Sequence, residues 1–217
     1  MRYDLVIFDN DGVLVDSEPI SNRLLAAYLS ELGHPTSYDD SLRDYMGAAM
    51  HRVHDLIRER TGQRLPEDFD DVFHGRVFAA FERDLEPVPG VVGVLEKLAA
   101  DGVAYCVASS GSHERIRVGH RKTGLDRWFD DGRIFSSEDV GRGKPAPDLF
   151  LHAAERMGVV PEKCVVVEDS PLGVQAAIAA GMDVCGFTAM TPAAKLAGAT
   201  RLFQSMGELG DLLSTHE

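Results

Sequence analysis

The sequence predicts an α/β protein whose parallel sheet is interrupted, after the first strand, by an all-helical insertion. From residue 86 onward, short apolar runs alternate with helical patterns, as is typical of a parallel sheet covered on both faces. The apolar run at residues 5–8 predicts one further buried strand, which must join that sheet because alone it has no partner. We therefore predict a core of residues 1–15 and 86–217 around a helical insertion of residues 16–85.

The insertion has helical periodicity throughout and no convincing strand pattern. Its first helix is predicted to begin at Asp16-Ser17-Glu18-Pro19, because a proline fits the first helical turn, and to end at Gly33. Further helical patterns lie at about 39–46, 49–61 and 67–84, with Gly47, Gly62 and Pro66 between them.

In the core, the predicted elements alternate in type. Helices are predicted at about 90–101, after Ser112, at about 147–157 and at 170–180. Apolar, strand-like runs lie at 103–108, near 134–135, at 164–167 and at 184–187.

The charge balance limits the class of partner. Acidic residues outnumber basic ones, 35 against 22, which gives a formal net charge of −13 with histidine neutral. Such a field repels nucleic acid and anionic lipid, so we expect neither as a partner.

No apolar run approaches the roughly 18–20 residues that span a bilayer. The cysteines Cys106, Cys164 and Cys185 lie in apolar runs and are expected to be buried free thiols, so we predict a cytoplasmic protein.

Two carboxylates follow the first predicted strand, one residue apart. Asp9 and Asp11 share one side of an extended segment, and Gly12 allows the backbone to turn behind them. In an open parallel sheet, ligands bind at the carboxyl ends of the strands. Two carboxylates about 4 Å apart repel by roughly 4 kcal/mol at an effective dielectric of 20. A cation or a proton is therefore expected between them.

Other polar groups stand at the ends of later strands or just before a helix: Ser109, Ser110, Lys144, Glu168 and Asp169. Singly, each has a structural explanation as a turn residue, a solvated lysine or a helix N-cap. Together they predict a site for phosphoryl transfer. Carboxylates supply the oxygen ligands that Mg²⁺ prefers, while Lys144 and Ser109 are suited to hold a phosphate.

This ordered set of motifs resembles the haloacid dehalogenase superfamily. The motifs that carry the resemblance are Asp9-x-Asp11-Gly12-Val13, Ser109, Lys144-Pro145 and Glu168-Asp169-Ser170. Asp-Ser-Glu at 16–18, the helical insertion and Gly-Lys-Pro-Ala-Pro-Asp at 143–148 are similar to the branch that holds β-phosphoglucomutase and phosphatases of sugar phosphates and phosphogluconate.

The resemblance implies a Rossmann-like core, a mobile helical cap and Mg²⁺-dependent chemistry through an aspartyl-phosphate. Carried over by position, Asp9 is the nucleophile and Asp11 the general acid-base. The metal would be held by Asp9, the Asp11 carbonyl and Asp169, with Glu168 close by. Asn10 is interpreted as a filler between the two aspartates. The expected activity is that of a phosphatase acting on a small phosphorylated metabolite, a sugar phosphate or a sugar-acid phosphate. The sequence gives no indication of an oligomeric state.

A phosphosugar mutase is the nearest alternative activity. In β-phosphoglucomutase, a cap histidine shortly after the Asp-x-Asp motif is associated with keeping the phosphoenzyme from water. Ser21 stands at the matching position here, and Met50 stands where the mutase cap offers an arginine. A serine does not titrate near neutrality, so hydrolysis is favoured.

Two further alternatives fit less well. A 2-haloacid dehalogenase needs neither a proton donor at the position of Asp11 nor Mg²⁺. A phosphoacceptor module such as a receiver domain needs no helical insertion and has no use for Asp11 as an acid-base.

The insertion offers weaker candidates. His51 and His54 are three residues apart on a predicted helix, but a solvated or capping pair is favoured over half of a metal site. Arg23, Arg43 and Arg52 could reach a second anionic group, although surface ion pairing is the favoured role for each.

Overall fold

The computed structural model describes residues 2–46 and 50–214. Gly47, predicted to separate two helices, lies outside these residues. The chain divides into two compact units, one formed by Met1–Asp16 with Glu86–Glu217 and the other by Ser17–Leu85. We call them the core unit and the helical unit.

The core unit contains a parallel sheet of six strands. The strands are β1 (Leu5–Phe8), β2 (Ala104–Ser109), β3 (Ile134–Ser136), β4 (Cys164–Glu168), β5 (Asp183–Phe187) and β6 (Arg201–Phe203). Their order across the sheet is β3-β2-β1-β4-β5-β6, which is the strand order of a Rossmann-like fold. The predicted α/β architecture is therefore confirmed.

The central strands are apolar because the sheet buries them on both faces. Every residue of β1 and β4 is buried, as expected for parallel strands covered by helices. Cys106, Cys164 and Cys185 lie in three of the strands as buried free thiols, as predicted.

Helices account for most of the remaining chain. The helical unit contains α1 (Glu18–Glu31), α2 (Tyr38–Tyr45), α3 (Met50–Thr61) and α4 (Phe69–Asp84). The core unit contains α5 (Val91–Ala100), α6 (His113–Thr123), α7 (Asp148–Met157), α8 (Pro171–Ala179) and α9 (Met206–Ser214). No helix among the described residues is long and apolar enough to cross a membrane.

The C-terminal β6 and α9 are elements that the sequence patterns missed. β6 is a short edge strand that pairs only with β5 and has one buried residue, Phe203. It therefore has no apolar run that would reveal it. α9 contacts both α5 and β6, and it buries Met206, Leu209 and Leu213.

The two ends of the core unit that flank the helical unit are hydrogen-bonded to each other. The N–H of Asp16 donates to the carbonyl of Glu86, and the N–H of Val88 donates to the carbonyl of Leu14, each with an N–O distance of 2.9 Å. The chain thus leaves the sheet and returns to it along paired segments.

The strand order changes direction at β1. From β1 the chain adds β2 and β3 on one side, and it then crosses to add β4, β5 and β6 on the other. Phe8 is in register with Val107 of β2 and with Val167 of β4. Such a reversal leaves a crevice beyond the carboxyl ends of the strands, which is where ligands bind in open α/β sheets.

Candidate active site

Asp9 lies at this crevice because it follows β1 directly. Its backbone N–H donates to the carbonyl of Val167 in β4 (N–O 2.9 Å), which extends the strand pairing by one residue. The chain then turns at Gly12, whose φ of +78° is strained for any residue with a side chain. The turn is closed by hydrogen bonds from the N–H groups of Leu14 and Val15 to the carbonyl of Asn10.

Lys144 joins the carboxylates at the ends of β1 and β4. Its Nζ lies 2.7 Å from Oδ1 of Asp9 and 2.6 Å from Oε1 of Glu168. The lysine side chain is 4% exposed, and Nζ lies 4.8 Å from the centre of the Phe150 ring on α7. The predicted proximity of these three ionisable groups is thus present in the structure.

Burial and charge oppose each other in this cluster. Burial raises the pKa of Asp9; Lys144 counteracts that effect, while the charges of Glu168 and Asp11 add to it. Burial alone would lower the pKa of Lys144, but the two carboxylates outweigh it and raise that pKa above its usual range. Lys144 is therefore a permanent cation, and the carboxylates around it outnumber it.

Glu168 is held in place by the start of α8. Its Oε2 accepts hydrogen bonds from the N–H and the hydroxyl of Ser170, at 2.8 and 2.9 Å. Gly173 faces this carboxylate so closely that a Cβ added there would overlap it. Both oxygens of Glu168 are thus engaged, one by Lys144 and one by Ser170.

Asp169 completes a cluster of three carboxylates. One oxygen each from Asp9, Glu168 and Asp169 lies within 4.8 Å of the others. Gly12 makes room for Asp169, because a Cβ at that position would overlap its carboxylate. Three hard oxygen donors with an excess of negative charge match the chemistry of a Mg²⁺ site.

Ser109 and Ser110 follow β2 but differ in exposure. Ser109 is buried, and its Oγ accepts a hydrogen bond from the N–H of Gly111 at 3.0 Å. Ser110 is exposed, and its carbonyl accepts a hydrogen bond from the hydroxyl of Ser137 at 2.8 Å. Of the two, Ser109 is the one whose hydroxyl is fixed at the end of the strand.

Asp11 is contacted by a residue that the sequence did not single out. Nη2 of Arg115, in the first turn of α6, lies 2.7 Å from Oδ1 of Asp11. A signal for this contact exists in the sequence: α6 starts just after β2, so its first turn is expected near the carboxyl ends of the strands. Arg115 therefore belongs to the immediate surroundings of the Asp-x-Asp motif.

The interpretation of Asn10 as a filler is wrong. Its side chain is buried and makes two contacts: Nδ2 lies 3.3 Å from Oδ2 of Asp11, and Oδ1 lies 2.9 Å from Nε2 of His120 on α6. Nothing in the local sequence indicates the pairing, because 110 residues separate the two partners.

Comparison with known proteins identifies the family. The family model for haloacid dehalogenase-like hydrolases matches residues 3–181. The chain belongs to this family. It is 32% identical to the 6-phosphogluconate phosphatase of Escherichia coli K12 over 189 residues, which cover 87% of this chain and 84% of the relative.

Two solved structures of haloacid dehalogenase-like proteins closely match the fold. A conserved protein from Agrobacterium tumefaciens superposes with a TM-score of 0.90 at 35% identity, covering 98% of both chains. A family hydrolase from Deinococcus radiodurans with bound phosphate and sodium superposes with a TM-score of 0.84 at 33% identity, covering 98% of this chain and 96% of the other.

His54 of the helical unit is paired with a carboxylate and packs against an aromatic ring. Nε2 of His54 lies 2.7 Å from Oδ1 of Asp70, and the ring packs edge-on against Phe69. Among the described residues, the one cluster suited to a metal is the three-carboxylate group of the core unit.

The three arginines singled out from the sequence, Arg23, Arg43 and Arg52, are engaged within the helical unit. Arg43 contacts Asp40 and Asp44 at 2.7 and 3.0 Å, and Arg52 lies 3.5 Å from Glu59. These contacts agree with the predicted ion pairing. Arg23 differs, because its guanidinium stacks over the ring of Tyr38 at 5.3 Å.

Proposed function

We propose that this hydrolase is a Mg²⁺-dependent phosphatase that cleaves a small sugar phosphate or sugar-acid phosphate through a phosphoenzyme on Asp9. The observation that carries the proposal is the contact of Lys144 with both Asp9 and Glu168, beside the carboxylate of Asp169. A buried carboxylate held beside a permanent cation, at the mouth of a Rossmann-like crevice, is suited to attack an anionic ester.

The first half of the proposed reaction transfers the phosphoryl group to Asp9. Lys144 reduces the repulsion between the Asp9 carboxylate and the incoming phosphate, and the Ser109 hydroxyl donates a hydrogen bond to a phosphate oxygen. A carboxylate oxygen of Asp9 attacks phosphorus in line with the departing alkoxide. Asp11, protonated, gives its proton to that alkoxide, which is a poor leaving group without it.

The second half of the proposed reaction releases phosphate. After the first step Asp11 is ionised, and it can therefore take a proton from a water molecule that attacks the acyl phosphate. One residue thus serves as acid and then as base. Ser110, being exposed, is assigned at most an outer contact with the substrate.

Mg²⁺ would be held by the carboxylates of Asp9 and Asp169 and by the backbone carbonyl of Asp11. When bound, it would neutralise charge on the phosphate and on the surrounding carboxylates. We assign Glu168 a supporting place, because its two oxygens already hold Lys144 and Ser170.

The names of similar proteins support the substrate class. The Escherichia coli relative is a 6-phosphogluconate phosphatase, and the Deinococcus radiodurans structure contains phosphate. A dehalogenase is disfavoured, since that chemistry needs neither the acid-base Asp11 nor the cluster of carboxylates.

The test is a screen of the purified protein against a panel of phosphorylated sugars and sugar acids with Mg²⁺, scored by release of inorganic phosphate. We expect turnover of at least one member of the panel. Chelator-resistant release of halide from 2-haloacids, without phosphate release, would instead establish the dehalogenase. A phosphorylated protein that persists for hours without turnover would establish a phosphoacceptor module.

A further inference from the structure

A buried hydrogen bond links α6 to the residue between the two aspartates. Nε2 of His120 lies 2.9 Å from Oδ1 of Asn10, and both side chains are at most 2% exposed. The catalytic chemistry proposed above uses neither residue. A buried polar pair loses its hydration on folding, so packing alone would be served equally well by apolar side chains.

The direction of this hydrogen bond follows from its acceptor, because Oδ1 of Asn10 has no proton to donate. Burial lowers the pKa of His120 to about 4, although the charges of Asp11 and Asp126 oppose the effect. The ring is therefore neutral at pH 7 and carries one proton. Because Oδ1 of Asn10 can only accept, that proton is on Nε2.

The same hydrogen bond fixes the other end of the Asn10 amide. With Oδ1 facing His120, Nδ2 faces Asp11 and lies 3.3 Å from its Oδ2. The second oxygen of that carboxylate, Oδ1, lies 2.7 Å from Nη2 of Arg115. Helix α6 thus acts on both oxygens of the Asp11 carboxylate. Arg115 contacts one oxygen directly, and His120 holds the Asn10 amide that faces the other.

We propose that His120 is a positioning residue for the acid-base chemistry of Asp11, acting through the Asn10 amide. The inference rests on the proposed phosphatase function. The amide limits rotation of the Asp11 carboxylate, so that its proton is delivered in the direction of the leaving oxygen. Without His120, the Asn10 amide can turn over and present its oxygen to Asp11, which repels the ionised carboxylate.

The experiment compares two near-isosteric variants of His120. His120→Gln keeps an N–H donor for Asn10, whereas His120→Met fills similar space without one. Each is assayed with 6-phosphogluconate, an alkyl phosphate whose leaving group needs a proton, and with 4-nitrophenyl phosphate, whose phenolate leaves without one. The ratio of kcat/KM values is the readout, because kcat/KM reports the steps up to loss of the leaving group.

We expect His120→Met to lower kcat/KM for 6-phosphogluconate by roughly tenfold or more, a part of the 10²–10⁴-fold that general acid catalysis contributes. For 4-nitrophenyl phosphate the loss should stay within roughly threefold, since no proton is needed in that step. His120→Gln should restore most of the loss. His152→Met, on α7, is the matched control and should change neither rate.

Other outcomes overturn the inference. Equal losses on both esters, or equal losses in the Gln and Met variants, would mean that His120 only maintains the fold. If the wild-type protein cleaved 4-nitrophenyl phosphate but not 6-phosphogluconate, Asp11 would not be acting as a general acid. A wild-type protein that cleaves neither these esters nor any member of the phosphate panel would remove the proposed function as well.

Discussion

The Nζ atom of Lys144 lies 2.7 Å from Oδ1 of Asp9, although the two residues are 135 positions apart in the chain. The contact joins the loop before α7 to the end of β1, so it depends on the tertiary fold. It brings one cation to a group of three carboxylates. The remaining negative charge has a direct consequence for metal dependence.

Phosphate release should require Mg²⁺. Excess EDTA should abolish it, added Mg²⁺ should restore it, and Ca²⁺ should support little turnover because its coordination is looser and higher. Mg²⁺ should also raise the thermal midpoint of the wild-type protein, since a ligand that binds only the folded state stabilises it. Asp169→Asn should lose that shift, whereas the exposed control Asp101→Asn should keep it. Full activity in EDTA would contradict the proposed metal site.

The two aspartates of the Asp-x-Asp motif should differ in what their loss does. Asp9→Asn should abolish turnover, since an amide cannot act as the nucleophile. Asp11→Asn should lower kcat by roughly 10²–10⁴-fold, the range for a lost general acid-base. Single-turnover assays of the two variants and of Asp101→Asn provide the comparison. An Asp9→Asn protein working near the wild-type rate would rule out the covalent mechanism.

Gly173→Ala should damage the site although alanine is the better helix former. A Cβ at Gly173 would overlap the Glu168 carboxylate, which would have to leave Lys144 or Ser170. We expect a loss of roughly 1–3 kcal/mol in the free energy of unfolding, as for other overpacked sites, and reduced phosphate release.

Gly93→Ala in α5 is the matched control for that substitution. Apart from its chain neighbours and the helix's own backbone, no described atom lies within 4 Å of a Cβ at Gly93, so this change should stabilise the protein by roughly 0.5–1 kcal/mol. Urea denaturation of both variants measures the difference. If Gly173→Ala were as stable and active as Gly93→Ala, close packing against Glu168 would not matter.

His120 should make the protein less stable in acid. Its pKa is about 4 in the folded protein and about 6.5 when the chain is unfolded. Between these values the unfolded chain binds a proton that the folded protein does not, so stability falls as the pH drops from 6.5 towards 4. From pH 7.5 to 5 the loss due to this group is about 2 kcal/mol.

Urea denaturation of the wild type and of His120→Met at pH 7.5 and pH 5 isolates that contribution. The wild type should lose more stability than the variant over this interval. Equal losses in the two proteins would mean that His120 does not titrate below its ordinary range.

The enzyme should hydrolyse sugar phosphates without isomerising them. Ser21, which stands where the mutase has its cap histidine, lies in α1 and has no group that titrates near neutrality. β-Glucose 1-phosphate with a bisphosphate primer should give no glucose 6-phosphate in an assay coupled to glucose-6-phosphate dehydrogenase. Primed isomerisation faster than phosphate release would favour the mutase instead.

Sequence patterns predicted the parts of the fold that have a local cause. β1 and β4 were evident because both faces of each are buried, which leaves an uninterrupted apolar run. α6 was evident from its cap, where the Ser112 hydroxyl accepts a hydrogen bond from the N–H of Arg115. The edge strand β6 has neither signal, because a strand with one buried residue resembles a loop.

The surroundings of the candidate site follow the same rule. Asp9, Lys144 and Glu168 were predicted together because each follows a strand or precedes a helix in a recognisable motif. The pairing of Asn10 with His120 could not be predicted in this way, because neither residue belongs to a motif that implies the other as its partner. A glycine inside a helix, such as Gly173, is visible in the sequence as an unusual choice. The structure explains the choice, because the Glu168 carboxylate packs directly against this position.

The paired segments at Leu14–Asp16 and Glu86–Val88 bear on how such an enzyme can evolve. These two segments are hydrogen-bonded side by side. The sheet therefore tolerates changes in the length of the helical unit that connects them. Loop-closure entropy grows by only about 0.6 kcal/mol for each doubling of a flexible connection. Residues 17–85 can therefore change in length or in architecture while β1 keeps its register with β2 and β4.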